Sequence, residues 1–269
     1  MKTLLTTIAM TLLISATAEA KTAAELIAKG TPEEKGAAVA GELAARNTGY
    51  RDLSGEVEMV LKDAGGSEAR RRFSLKVLEQ PDAKVGDWSL IEFQSPTDVK
   101  GTALLSHGKV DGDDDQWLYL PALGRVKRIA SSNRTGAFVG SEFAYEDLTG
   151  NDPAKHAWRF LGNKPCGGAQ CLELEATPKD GGSGYSKRLV LVDANEMRIA
   201  SVDFFDRKGV RNKTLSYGGY RKVNDKFWRA QSWTMQNHQN GKTTVLSFVT
   251  MKMGVGLKAS DFSADKLGH

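Results

Sequence analysis

Apolar and polar residues alternate with a period of two along most of this chain. From Leu53 onward that pattern leaves little room for any fold but a large antiparallel sheet. Leu53, Gly55, Val57, Met59 and Leu61 alternate with polar neighbours, Asp63-Ala64-Gly65-Gly66-Ser67 turns the chain, and Phe73, Leu75 and Val77 alternate again. Similar runs follow at Trp88–Phe93, Ala103–Ser106, Gln116–Leu120, Arg125–Ile129, His156–Leu161 and Cys171–Thr177. Others are Tyr185–Val192, Arg198–Phe205, Lys213–Tyr217, Lys226–Gln236 and Thr243–Met253. Gly-, Asp- and Asn-rich turns separate them, and Pro178–Gly184 is expected to be one such hairpin loop. No helical pattern alternates with the strands, which excludes a doubly wound α/β fold. A sheet this long must curl. A closed barrel, a sandwich and a half-barrel covered by helices all fit.

Helices are expected only at the start. Thr22–Lys29 is alanine-rich, and Thr31-Pro32-Glu33-Glu34 supplies an N-cap threonine, proline at the first helical position and glutamate at the third. That second helix is expected to run to about Asn47 with Val39 and Leu43 on one face. Its apolar face is thin, so the expectation is a cover lying closely on the sheet, not a core helix. Before it, Lys2, the apolar run Leu4 through Ala16 and the Ala18-Glu19-Ala20 site form a secretory signal peptide over 1–20. The apolar run is shorter than the roughly 20 residues a membrane span needs, and no cysteine follows the cleavage site. The mature chain, 21–269, is expected to be a single domain outside the cytoplasm.

The formal charge of +4 suits local contact with anionic head groups but falls short of a nucleic-acid-binding signature. The two cysteines, Cys166 and Cys171, stand in CGGAQC. In an oxidising compartment that spacing is a disulfide closing a tight loop, whereas a redox pair or a zinc site would need other spacings and more ligands. His107, His156, His238 and His269 are scattered, G-x-S-x-G fails at Tyr185, and no phosphate-cradling loop precedes a helix. No enzyme, metal site or cofactor is expected. Asp111-Gly112-Asp113-Asp114-Asp115 lacks the glycine and glutamate of an EF-hand and is expected to be a solvated turn.

One stretch stands apart, Gln116–Gly150. Trp117-Leu118-Tyr119-Leu120 breaks at Pro121, a basic block follows with Arg125, Lys127, Arg128 and Arg134, and the chain then turns acidic over Glu142, Glu146, Asp147 and Asp152. The run W-L-Y-L-P-x-L-G-R-V-K-R-I followed by G-S-E-F-x-Y-E-D-L resembles the LolA-like outer-membrane lipoprotein-sorting family, periplasmic proteins that often accompany RND/MMPL-type exporters. The resemblance implies a mainly β fold with a few helices, in which a large curved antiparallel sheet forms an unclosed half-barrel covered by the N-terminal helices. It also implies a carrier or chaperone for lipid or acylated protein, or a sensor or adaptor docking on an inner-membrane partner.

Under that reading, Trp88, Phe93, Trp117, Tyr119, Trp228 and Trp233, with Val39 and Leu43 from the helix, are candidate walls of an apolar cavity. Arg125, Lys127, Arg128 and Arg134 are candidates for three uses: holding an anionic head group, docking a membrane partner, or pairing with Glu142, Glu146 and Asp147. The tail residues Leu257, Phe262 and Leu267 are expected to dock on the sheet edge.

Overall fold

The structure is a computed structural model that describes residues 20–82, 84–150 and 152–268; the signal peptide expected over 1–20 lies outside the described residues but for Ala20. Two helices open it, α1 (Ala23–Ile27) and α2 (Pro32–Arg46). Each begins with a complete capping box. Thr31 accepts from the Glu34 amide, and the Glu34 carboxylate accepts from the Thr31 amide at 2.7 Å. These reciprocal bonds satisfy amides that the first helical turn leaves orphaned.

The strands are β1 (Asp52–Lys62), β2 (Glu68–Leu78), β3 (Val85–Ser95), β4 (Ala103–Lys109), β5 (Asp115–Leu120) and β6 (Arg125–Arg128). After a long connection come β7 (His156–Cys166), β8 (Ala169–Pro178), β9 (Tyr185–Asp193), β10 (Arg198–Asp206) and β11 (Arg211–Gly218). The last are β12 (Arg221–Val223), β13 (Phe227–Arg229), β14 (Ser232–Asn237) and β15 (Thr243–Met253). The one run expected over Lys226–Gln236 is thus two strands. Its first part pairs with β12 as a separate hairpin, and β14 joins the main sheet.

Thirteen strands form one sheet in the order β6-β5-β4-β3-β2-β1-β15-β14-β11-β10-β9-β8-β7. It curves without closing, so the half-barrel has two free edges, β6 and β7. The disulfide Cys166–Cys171 ties the far end of the β7–β8 hairpin, with the Cα atoms 5.8 Å apart.

The two faces are packed differently. The inner face carries Val57, Met59, Phe73, Phe93, Leu104, Leu172, Leu174, Val192, Met235 and Leu246, all nearly or fully buried. Val39, Leu43, Ala23 and Leu26 of the helices belong to this same cluster. Val39 is 0% exposed, so α2 is a core helix and not only the close-lying cover expected from its thin apolar stripe. The approach is close because position 36 is glycine: a Cβ there would stand 2.6 Å from the Arg159 backbone nitrogen of β7.

Candidate functional site

The inner face is closed by a segment that the strand pattern left as a connection. Between β6 and β7 the chain passes from one free edge to the other in short 3-10 turns at Ser131–Asn133, Phe138–Gly140, Tyr145–Leu148 and Pro153–Lys155. We call it the strap. Phe138 and Phe143 are its apolar pegs, each 0% exposed in the inner cluster. Phe138 lies 5.7 Å from the Phe93 ring, and Phe93 lies 5.4 Å from Phe73. A tight loop presents them: the Phe138 amide donates to the Phe143 carbonyl at 2.7 Å, with Val139 and Gly140 in the left-handed region at φ 46° and 70°.

Polar anchors fix the strap to successive strands. The Gln116 side-chain amide of β5 donates to the Tyr145 carbonyl at 3.2 Å, and the Arg71 guanidinium of β2 to the Val139 carbonyl. Thr244 of β15 accepts from the Glu142 amide at 2.9 Å, and Asn237 of β14 donates to the Glu142 carboxylate at 2.6 Å. Farther along, Asp147 accepts from the Ala144 amide at 2.8 Å and the Tyr185 hydroxyl of β9 at 3.0 Å, with the Lys213 ammonium of β11 3.8 Å away. Its side chain is 1% exposed. Burial, then the nearby Asp147 charge, pushes the Tyr185 hydroxyl well above its usual pKa. The G-S-E-F-x-Y-E-D-L run is therefore a set of pegs and anchors spanning the open mouth.

The basic block and the acidic run do not pair as one alternative had it. Glu142 and Asp147 hold the strap, and Glu146 accepts from the Ser183 hydroxyl at 2.7 Å and the Gly184 amide at 2.9 Å. Arg128 instead pairs with Asp115, and Arg134 with Asp113 and Asp180. Burial opposes the Arg134 charge, yet its bond to Asp180 and the fields of Asp113, Asp180 and Glu146 raise its pKa. Arg134 is thus an internal strut between the strap, the β4–β5 turn and the β8–β9 loop, not an exposed docking residue. The β4–β5 turn is also less solvated than expected, because Asp114 is 6% exposed and bonded to Lys155 at 2.6 Å. Arg125 and Lys127 stand exposed on the edge strand β6 beside exposed Leu123 and Val126.

The eight residues expected to line one apolar cavity are distributed over three places. Phe93, Trp233, Val39 and Leu43 meet on the inner face, where Trp233 sits 5.3 Å from Phe248. Trp88, Trp117 and Tyr119 are on the outer face, one residue out of phase with inner-facing Ile91, Leu104 and Leu118. There Phe262 and Leu267 of the C-terminal tail cover them. Trp88 stacks on His107 at 4.0 Å, and His107 Nε2 contacts the Phe262 carbonyl at 2.7 Å. Trp228 belongs to the β12–β13 hairpin, its indole donating to Glu196 at 3.0 Å with Arg198 over the ring at 4.6 Å. The tail residues dock, but on the outer face of β3–β5 and not along an edge.

Beside the strap opens a cleft of about 340 Å³ lined by Asp113, Arg134, Glu146, His156, Asp180 and Arg188, among others. Sequence reasoning missed Arg188, because an arginine in an alternating strand looks like any solvated residue. His156 is pushed down to about 4, first by burial and then by the neighbouring Arg188 charge.

An open antiparallel half-barrel, its apolar inner face covered by two helices and a strap, is the architecture of LolA-like proteins. A family model of uncharacterized proteins matches residues 86–269. A domain provisionally named outer membrane lipoprotein-sorting protein, from Vibrio parahaemolyticus, is 43% identical over 87% of this chain and 99% of its own, with a TM-score of 0.85. A DUF1329 family protein from Desulfovibrio piger is 28% identical over 88% of this chain and 100% of its own, with a TM-score of 0.83. A LolA superfamily protein from Nitrosomonas europaea, 19% identical over 84% of this chain and 98% of its own, shares the fold at a TM-score of 0.67. No curated protein matches the chain significantly in sequence. The chain belongs to the LolA-like outer-membrane lipoprotein-sorting family.

Proposed function

We infer that the mature chain, 21–269, works in the periplasm as one LolA-like domain that shelters the acyl chains of a lipid or lipoprotein on its way toward the outer membrane. The observation that carries this reading is the strap. A sandwich would close its apolar face with a second sheet; here the cover beside the two helices is an irregular chain segment, pegged by Phe138 and Phe143 and registered by hydrogen bonds. Lifting it would expose Phe73, Phe93 and Leu104 as a trough for acyl chain. Each methylene sheltered from water is worth about 0.8 kcal/mol, so a trough holding one chain repays the exchange of strap for ligand. We assign the gate to the strap, an irregular segment of short 3-10 turns, ahead of α2, whose continuous helix would have to move as one piece. The chemistry needs no covalent step.

Native mass spectrometry of the protein purified gently from periplasm, followed by organic extraction, tests this. A discrete added mass resolving into an amphiphile is expected. An apo mass that persists after incubation with membrane lipids would overturn the carrier reading.

A second reading, a sensor or adaptor on an inner-membrane partner such as an RND/MMPL-type exporter, is favoured by one observation. Arg125 and Lys127 project from an edge strand whose outer backbone groups are unpaired in the sheet order. Charge reversal at Arg125, Lys127 and Arg128 that abolished capture of the partner while sparing lipid binding would establish it.

A further inference from the structure

Arg188 is a cation without a counter-charge. On β9 it follows Val192 and Val190 along the inner face, so an apolar row ends in a guanidinium at the cleft. Its carbon stands 5.4 Å from the centre of the Tyr185 ring and 5.2 Å from that of Phe204. Stacking on two rings fixes the plane of the guanidinium but leaves its N–H groups to find acceptors. Among the described residues no carboxylate lies within ion-pairing distance, and its buried Nε has no hydrogen-bond partner.

The other charged groups of the cleft wall include Arg134, Lys155 and Lys179 among the cations, with Lys179 and Asp111 on its exposed rim. Arg134 is taken by Asp113 and Asp180, and Lys155 by Asp114. Glu146 is occupied by the Ser183 hydroxyl and the Gly184 amide. The wall thus carries five acids, of which Asp113 and Asp180 share Arg134, so an anion's place there would be set by the local field of Arg188 and not by net charge. Its buried Nε has lost water without gaining a hydrogen-bond partner, a cost that a bound anion would reverse. The volume, about 340 Å³, lies at the small end of ligand pockets, which start at roughly 300 Å³.

We propose that this cleft is a binding site for a phosphate group, with the Arg188 fork donating to two of its oxygens and the row Val190–Val192 leading away from the bound group. A phosphate suits the place better than a carboxylate, because its additional oxygens can also accept from the Ser131 hydroxyl on the cleft wall. The phosphate can come from a lipid head group or from a free phosphate ester, and the same contacts serve both. The proposal stands apart from the carrier reading, since an anion can occupy the cleft with the strap in place.

The test is calorimetric titration of the full mature chain with inorganic phosphate, glycerol 3-phosphate, dihexanoyl phosphatidylglycerol and zwitterionic dihexanoyl phosphatidylcholine. The Arg188 Nε–H resonance is followed in the same titrations. At least one anionic probe is expected to bind, to shift that resonance, and to bind 10-fold or more weakly to Arg188→Met, with Arg188→Lys recovering only part of the loss. Binding of the water-soluble phosphates would identify a free-ester site, and binding of phosphatidylglycerol alone a head-group site; either upholds the proposal. An Arg188 resonance that no anionic probe moves, or anion binding undiminished in Arg188→Met, would overturn it. Should Arg188→Met fail to fold, the resonance of the native protein still decides. Phosphatidylcholine bound as tightly as phosphatidylglycerol, with no movement of the Arg188 signal, would uphold the carrier and reject this site.

Discussion

The strap on the inner face and the C-terminal tail on the outer face solve the same problem by different means. Both cover apolar surface of the same sheet with irregular chain. The tail is held mainly by apolar side chains, Phe262 and Leu267 against Trp88, Trp117 and Tyr119, with His107 contacting the Phe262 carbonyl. The strap has two phenylalanine pegs but adds a series of side-chain hydrogen bonds from Arg71, Gln116, Tyr185, Asn237 and Thr244. Apolar contacts hold a segment down without fixing where it lies; hydrogen bonds register it. A cover that must leave and return to one position benefits from register, and a permanent patch does not.

The contrast is sharpest at the pegs. Phe138→Ala on the strap and Phe262→Ala on the tail should each cost about 4 kcal/mol in urea unfolding if both segments are integral to the core. If the strap opens on its own, Phe138→Ala should instead lose much less globally, while amide exchange over the strap speeds up and exchange of the tail stays slow. Next in size is Asp147→Ala, which strands the Tyr185 hydroxyl and Lys213 in a buried site. A loss of about 3 kcal/mol is expected, since an uncompensated buried charge is costly. No outer-face substitution should reproduce its effect on strap exchange.

A pH titration probes the strap's end. His156 has its pKa depressed to about 4, whereas the unfolded chain titrates near the ordinary 6.5. Between these values the unfolded state binds the extra proton, so stability should be full above pH 6.5 and fall as the pH drops toward 4. The loss is at most about 3 kcal/mol, and His156→Gln should flatten that part of the profile. Reducing Cys166–Cys171 is expected to cost about 2 kcal/mol by the chain-entropy estimate for so short a ring. The loss should appear in exchange at the β7–β8 hairpin and leave both covers in place. The smallest effect belongs to Arg125→Glu with Lys127→Glu, within about 0.5 kcal/mol of the parent by thermal unfolding. A larger change would show that β6 is packed and not a free docking edge.

Much of the fold was legible. The alternation located the strands of the main sheet, because a half-buried strand must repeat every second residue, and Thr31-Pro32-Glu33-Glu34 located α2, because capping is chemistry local to a few residues. The cavity wall was misassigned where alternation is silent. Leu104 and Leu105 are both buried, as are Leu118 and, in part, Trp117, so β4 and β5 are apolar on both faces and their pattern does not say which face is inner. Trp88 and Phe93, five residues apart on β3, must face opposite ways, but only the packing of α2, the strap and the tail shows which face is inner. Partner choice was equally hidden. Arg134 lies 46 residues from Asp180, and the acids nearest in sequence, Glu142, Glu146 and Asp147, are taken by Asn237, Ser183, Tyr185 and Lys213. The sequence by itself determined strands, helix starts, the cysteine ring and the family, all of which depend on short-range spacing. Which face is covered, what holds the cover and which guanidinium is left without a partner were decided by the tertiary structure, because each is set by contacts between segments far apart in the chain.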